Sequence, residues 1–321
     1  MATKQTIGNE SWGRFDFLGP AKYITAFTIV LVAAALVLIA TKGLNYGVDF
    51  AGGIEMQTQF TQSVEPARVR QFMSDSGYPN ANVQALGKGQ TEYLIRVESR
   101  GETEEQQNAF LSQTVEKIKT GLATAFAAEA PVVRRVDTVG PQVGAELKRN
   151  GMLAGFYCLL LILIYVGLRF DYRYAPGAVF CLFHDAIITV GIYSLLDWEF
   201  TTQTLAAVLT IIGYSLNDTI VIFDRIRENI PIHRDKPLYW ISNRSINETL
   251  SRTVLTYITT CLALASMYFF ADGVIQDFAL TMLIGMFLGA YSTIYVATPL
   301  MLVADGMQKA RRRKQLETAR A

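Results

Sequence analysis

The side chains in this chain best placed to do chemistry are ionisable residues set inside long apolar runs. Asp218 lies in Ile212-Gly213-Tyr214-Ser215-Leu216-Asn217-Asp218-Thr219-Ile220-Val221. An Asp at the centre of a spanning helix costs roughly 2.5 to 3.5 kcal/mol on insertion scales, which makes it a functional candidate by default. Thr210, Tyr214, Asn217 and Asp218 recur at helical spacing, predicting one polar stripe turned toward other helices rather than lipid. Arg252 opens a second stripe with Thr256, Thr259 and Thr260, starting at the same membrane face. A small movement of Arg252 toward or away from Asp218 would decide whether that carboxylate holds or releases a proton, which is a switchable relay. The same residues equally suit a static interhelical salt bridge, or a hydrogen-bond clamp on a partner subunit. His184-Asp185 sits near the middle of another run. Neighbours in sequence do not share one helical face, so Asp185 reads first as a hydrogen-bond anchor to adjoining helices and second as a proton site. With His184 and His233 the only histidines and no nucleophile motif, a hydrolytic triad does not fit.

The elements that must position these residues are membrane spans. The chain has 321 residues, 51% apolar and 18% charged, with 29 Lys and Arg against 28 Asp and Glu. That balance excludes a disordered chain and a strongly basic nucleic-acid binder. Its apolar residues gather in runs long enough to cross a hydrocarbon layer about 30 Å thick. The runs are Tyr23 to Ala40, Gly151 to Leu168, Ala175 to Leu196, Thr204 to Phe223, Thr253 to Ala271 and Phe278 to Ala304. The first ends in Ala40-Thr41-Lys42 without a small-x-small cleavage site and reads as an uncleaved anchor. Seventeen Lys and Arg fall on one side, in the stretch 1–22, the link Arg169 to Arg173, the loop 224–252 and the tail 305–321. The short loops on the other side, Asp197 to Gln203 and Asp272 to Asp277, have no Lys or Arg and four carboxylates. The positive-inside rule therefore predicts cytoplasmic termini, with residues 41–150 outside and a five-helix membrane domain over 151–304.

Within 41–150 the period changes to two. Ile54, Met56, Thr58 and Phe60 alternate with Glu55, Gln57 and Gln59, a half-buried strand. Ser63 is the expected cap of a helix with Glu65 and Pro66 in its first turn and Val69, Phe72 and Met73 inward. Strands near Asn82 to Leu86 and Thr91 to Ser99 flank Gly87-Lys88-Gly89-Gln90, which lacks the spacer and the Lys-Ser/Thr ending of a phosphate loop. A capping box, Thr103-Glu104-Glu105-Gln106, opens a second helix, and Pro131 to Thr138 is the last strand. The order βαββαβ predicts a ferredoxin-like domain whose uncovered sheet face is left for a partner. The fold class expected is thus a polytopic α-helical membrane protein with six transmembrane helices and a ferredoxin-like α/β periplasmic domain between helices 1 and 2. Cys158, Cys181 and Cys261 lie inside spans without metal-ligand spacing and read as packing residues, and no metal or organic cofactor is expected. Gly285-x-x-x-Gly289 and Gly151-x-x-x-Gly155 would allow close helix approach, and Arg311-Arg312-Arg313-Lys314 suits topology or anionic lipid.

Four longer motifs are more specific. They are Gly47-Val48-Asp49-Phe50-Ala51-Gly52-Gly53, Val139-Gly140-Pro141-Gln142-Val143-Gly144, the stretch Gly213 to Asn229, and Ile246-Asn247-Glu248-Thr249-Leu250-Ser251-Arg252-Thr253. On these residues the chain resembles the SecF family of the resistance-nodulation-division superfamily, over nearly its whole length. The resemblance implies a partner of SecD, associated with the SecYEG channel and with YajC and YidC, in the bacterial inner membrane. It also implies use of the proton-motive force to draw unfolded preprotein across in the late steps of translocation, with protons as the coupling ion and no nucleic acid. Asp218 and Arg252 match the family's proton-handling pair. Asp185, Asn217, Tyr214 and His184 are secondary intramembrane polar residues, and Gly47, Asp49, Gly52 and Gly53 form the family motif after the first helix. Superfamily transporters usually have twelve spans, so six imply half of a transporter completed by SecD. Two other readings are half of a small-molecule or lipid exporter, for which the outer domain is small, and a structural assembly subunit without its own proton role.

Overall fold

The computed structural model describes residues 15–86, 89–99, 104–169 and 174–318. In chain order the elements are α1 (Ala21–Thr41), β1 (Asn45–Tyr46), α2 (Val48–Ala51), β2 (Gly53–Gln59), α3 (Pro66–Asp75), β3 (Asn82–Leu86), β4 (Glu92–Glu98), α4 (Glu104–Ala125) and β5 (Val132–Val139). The rest are α5 (Pro141–Arg169), α6 (Ala175–Leu196), β6 (Glu199–Phe200), α7 (Thr202–Ile232), α8 (Leu238–Phe270), α9 (Val274–Ser292), a π turn (Thr293–Ala297) and α10 (Thr298–Thr318). Six helical segments are long and apolar enough to cross a membrane, the last running unbroken from α9 through the π turn into α10. The protein is a multi-pass helical membrane protein.

Most spanning helices outrun the apolar runs that mark them. α5 begins at Pro141, where a missing N–H costs nothing in a first turn. The polar segment 224–252 is largely helical: α7 continues to Ile232 and α8 starts at Leu238. Polar links hold the two extensions together, with Arg225 Nε 2.7 Å from Glu248 Oε2 and Asn229 Nδ2 donating to Ser245 Oγ at 2.9 Å. Helix approach uses small residues. A Cβ on Gly191 of α6 would meet Ala35 of α1, and one on Gly285 of α9 would run into the Ile211 side chain of α7. A Cβ on Gly151 of α5 would stand 2.6 Å from the Leu205 side chain of α7, whereas Gly155 has open space around it, so one glycine of that pair serves a close helix contact within this chain.

The domain after α1 is a four-stranded sheet of order β3-β4-β2-β5 in which every neighbouring pair is antiparallel. The two-residue alternation puts Ile54, Met56, Tyr93, Ile95 and Val97 on one face, where they pack with Val69 and Met73 of α3 and Leu111, Ile118 and Leu122 of α4. Ser63 does not cap α3. Glu65 precedes the helix without a side-chain cap, because Pro66 fixes the first helical position two residues too late for Ser63 to reach it. The expected capping residue Thr103 and the dipeptide Gly87-Lys88 lie outside the described residues.

The second face of the sheet is not free, as the strand pattern led us to expect. It rests on the loops joining the spanning helices. Arg96 of β4, almost fully buried, reaches Glu55 Oε2 of β2 and Glu199 Oε2 of β6 at 2.6 Å each, and Asn82 donates to the other Glu199 oxygen. Burial pushes the Glu199 carboxyl above the ordinary range against the pull of Arg96. The sequence signal for this contact was present as an Arg on a polar strand face and an acidic loop, but local periodicity does not say that the two meet. Because a buried charge stripped of its partner is costly, Arg96→Met should leave Glu55 and Glu199 facing each other and destabilise the seat of the domain by on the order of 3 kcal/mol. Thermal unfolding of the purified full chain and amide exchange over 197–201 would measure it, and an unchanged midpoint would refute it.

Candidate intramembrane polar site

The deepest polar cluster is built where α6, α7 and α9 meet. Asp185 of α6 is completely buried. Its Oδ2 accepts hydrogen bonds from Ser215 Oγ of α7 at 2.5 Å and Ser292 Oγ of α9 at 3.0 Å. Its Oδ1 lies 2.8 Å from His184 Nδ1, and the other ring nitrogen of His184 lies 2.9 Å from Tyr291 Oη. Cys181 Sγ, one turn before Asp185, donates to Ser292 Oγ at 3.1 Å. His184 and Asp185 point different ways from the helix axis, as their adjacency requires, yet their side chains touch. The anchor reading of Asp185 is therefore realised on two neighbouring helices at once, and three donors satisfy a carboxylate that has no water-like surroundings. Ser215, Ser292, Tyr291 and Cys181 were not legible as site residues, because a Ser or Cys in an apolar run looks like packing.

Asp218 lies one turn beyond Ser215 on α7 and is 6% exposed. Its Oδ1 accepts a long hydrogen bond from Thr253 Oγ1 of α8 at 3.4 Å, while its Oδ2 has no hydrogen-bond partner among the described residues. Arg252, the neighbour of Thr253, is exposed, and no ion pair joins it to Asp218. The static salt bridge is not formed in this conformation. Tyr214 and Thr260 do pair, oxygen to oxygen at 2.7 Å, linking the two stripes. Thr210 and Asn217, expected to face other helices, are exposed, so that edge of the stripe lies on a side of α7 that this chain does not cover, whereas Tyr214 and Asp218 lie against α8. Among the described residues no group of His, Cys, Asp and Glu is arranged to hold a metal ion.

The motif after α1 joins the domain to the start of α7. Gly47 N donates to Phe200 O at 3.0 Å, extending the parallel β1-β6 pair. Asp49 Oδ2 accepts from Thr202 N at 2.9 Å and Thr202 Oγ1 at 2.7 Å, so its carboxylate caps the first turn of the helix that carries Asp218. Gly52 has φ +75°, a conformation that favours glycine, and a Cβ on Gly53 would collide with the Val97 carbonyl across the sheet. Gly144 of α5 fits against Gly52 N and Phe50 O, where an added Cβ would come within 3.0 Å of both.

Six spanning segments, a small antiparallel-sheet domain seated on their loops, and carboxylates buried between helices define a multi-pass membrane protein with an intramembrane polar centre. The family model described as protein export membrane protein SecD/SecF, C-terminal, matches residues 101–306, and the SecD/SecF GG motif model matches residues 37–64. The chain belongs to the SecD/SecF family of Sec protein translocase subunits. It is 44% identical over 306 residues to protein translocase subunit SecF of Magnetococcus marinus, covering 95% of this chain and 96% of that one. Against SecF of Pseudomonas aeruginosa the identity is 38% over 290 residues, with 90% and 91% covered. A crystal structure of SecDF, described as a translocon-associated membrane protein, from Thermus thermophilus superposes with a TM-score of 0.77 at 38% identity. That match covers 93% of this chain but 40% of the SecDF chain, so this chain spans well under half of SecDF.

Thr201 is the N-cap of α7, its hydroxyl accepting from Thr204 N at 3.3 Å, and Asp49 adds an acceptor for the Thr202 amide. Losing one such capping acceptor costs about 1 kcal/mol. Asp49→Ala should destabilise the full chain by about that amount and raise amide exchange at Thr202, whereas Asp49→Asn, which still offers an acceptor oxygen, should do so less. Equal protection in the Ala variant and the parent would contradict the capping role.

Proposed function

We propose that this chain is the SecF-like half of a SecD–SecF pair that couples proton movement to late steps of preprotein translocation. It acts as a translocase subunit beside the SecYEG channel, with YajC and YidC as further partners, and has no hydrolytic site of its own. The observation that carries the reading is Asp218: a carboxylate 6% exposed, with Oδ2 unpartnered, beside a polar helix face that the chain leaves open. A carboxylate that is buried but incompletely bonded can change protonation state without dismantling a network. Arg252 is exposed and unpaired with Asp218, so its approach remains available as a switching step. The relationship to SecDF, in which SecD and SecF regions are one chain by name, supports SecD as the partner that covers the Thr210 and Asn217 face.

Within this reading the protein lies in the bacterial inner membrane with its termini in the cytoplasm. The seventeen basic residues on the terminal side support that orientation. Residues 41–150 then form the periplasmic domain, and its strand order β3-β4-β2-β5 supports a ferredoxin-like assignment. Proton passage at Asp218 would be transmitted along α7 to Asp49 and the base of this domain, which holds or releases the emerging chain.

A second reading has an observation of its own. The exposed stripe of Thr210 and Asn217 would suit Asp218 as a hydrogen-bond clamp on SecD, with proton handling elsewhere. The two readings part at Asp218→Asn, which keeps hydrogen-bonding capacity but not the titrating group. In vesicles holding SecD and this chain, proton-gradient-dependent export of a secreted reporter should vanish in Asp218→Asn while copurification with SecD persists. Survival of both gradient dependence and assembly would leave the clamp as the correct account.

A further inference from the structure

Two buried oxygens near the centre of the bundle have no hydrogen-bond partner among the described residues: Asp218 Oδ2 of α7 and Tyr257 Oη of α8. Each belongs to a residue no more than 9% exposed. A phenol hydroxyl left unpaired at such depth costs on the order of 1 to 3 kcal/mol, and packing does not require the hydroxyl, since the ring of Tyr257 already makes an edge contact with Tyr214 at 5.9 Å. Tyr257 follows Thr253 by one turn of α8, and Thr253 is the residue that donates to Asp218. On its other side the hydroxyl faces Gly289 of α9. A Cβ there would stand 3.2 Å from Tyr257 Oη, 3.6 Å from Ser215 Cβ and 3.8 Å from Asp185 Oδ2. The Tyr257 hydroxyl and the Asp185 carboxylate are therefore at most about 7 Å apart across the space that the glycine leaves, a gap that one or two hydrogen-bonded waters span. The titratable groups acting on Tyr257 come from α6 and α7: Asp218, Asp185, Cys181 and Tyr214.

We infer that Tyr257 is a relay residue that joins Asp218 to the Asp185 cluster, with Gly289 keeping the passage between them open. This rests on the proton-coupling reading above and names the path of the proton inside this chain. The step balances without any other reactant. The O–H bond of protonated Asp218 breaks as its proton passes through intervening water to Tyr257 Oη, the original phenol O–H bond breaks in the same event, and that proton passes, again through water, to Asp185. Tyrosine is neutral before and after, and one proton has moved from the α7 carboxylate to the α6 carboxylate. Rotation of the phenol hydroxyl resets the relay.

The test uses the complete complex with SecD in vesicles, comparing the parent with Tyr257→Phe, Gly289→Ala and Asp218→Asn. Tyr257→Phe keeps the ring and its contact with Tyr214, so it should copurify with SecD and retain export driven by ATP alone, yet lose the stimulation by an imposed proton gradient. Infrared difference spectra after a pH jump on the purified complex should then show one buried-carboxyl band that no longer responds, a change that loss of packing alone would not produce. Gly289→Ala, which leaves the hydroxyl but fills the passage, should lose stimulation too. If Tyr257→Phe or Gly289→Ala keeps full stimulation while Asp218→Asn loses it, the relay is overturned and the coupling role of Asp218 stands. If all three keep it, the coupling reading fails and the relay falls with it. Should Tyr257→Phe not assemble, Gly289→Ala and the carboxyl bands decide between these outcomes.

Discussion

A carboxylate in the interior of a membrane protein must be surrounded by donors or abandoned to a large desolvation cost, and Asp185 sets the bundle around that requirement. Its two oxygens take hydrogen bonds from α7 and α9 and contact the His184 ring, so three of the spanning helices have their relative heights fixed at one point. The small residues then let the backbones close to the distance those short hydroxyl side chains demand. Gly285 against Ile211 and Gly289 beside Ser215 belong to the same constraint, since Ser215 and Ser292 can reach Asp185 only if α9 lies close to α7.

Asp185 and Asp218 illustrate how environment separates two chemically identical groups. They are joined through α7, where Ser215 binds one and the other follows a turn later. One is saturated by neutral hydroxyls and a ring nitrogen; the other has a single long bond and an idle oxygen. The first ties three helices together, and the second leaves an oxygen open. The soluble domain is tied to this arrangement at two places. Asp49 caps the start of α7, and Arg96 bridges the sheet to Glu199 just before that helix begins.

The order of strands and helices in the domain could be read largely from its sequence, because strand alternation and helical spacing are local properties. Ile54 and Met56 against Glu55 and Gln57 announce the sheet's two faces, and Pro66 announces the start of α3 more reliably than Ser63 does. The spans were legible for the same reason, although their ends were not. Apolar content stops at the membrane boundary near Phe223, while helix stability continues wherever Arg225, Asn229, Ser245 and Glu248 can bond each other. The site was half legible. An ionised residue in an apolar run reveals itself, so Asp185, Asp218 and Arg252 stood out. Which hydroxyls would answer them depended on helix order around the bundle, which no local pattern encodes. The same gap explains why the polar sheet face looked free when it is seated on loops.

The π turn in the sixth span has a consequence for phase. In an α-helix successive side chains leave the axis about 100° apart. The widened turn begins after Ser292, and Thr298 Oγ1 closes it by donating to Thr293 O at 3.0 Å. The wider turn holds one residue more than the α-helical count, and it sets the azimuth of everything after it. Met301 and Asp305 face the bundle because the turn widens to absorb that added residue. A single deletion within 293–297 would let the turn close as an ordinary α turn and keep every later residue on its present face, whereas the same deletion elsewhere in α9 would rotate all of them by about a quarter turn.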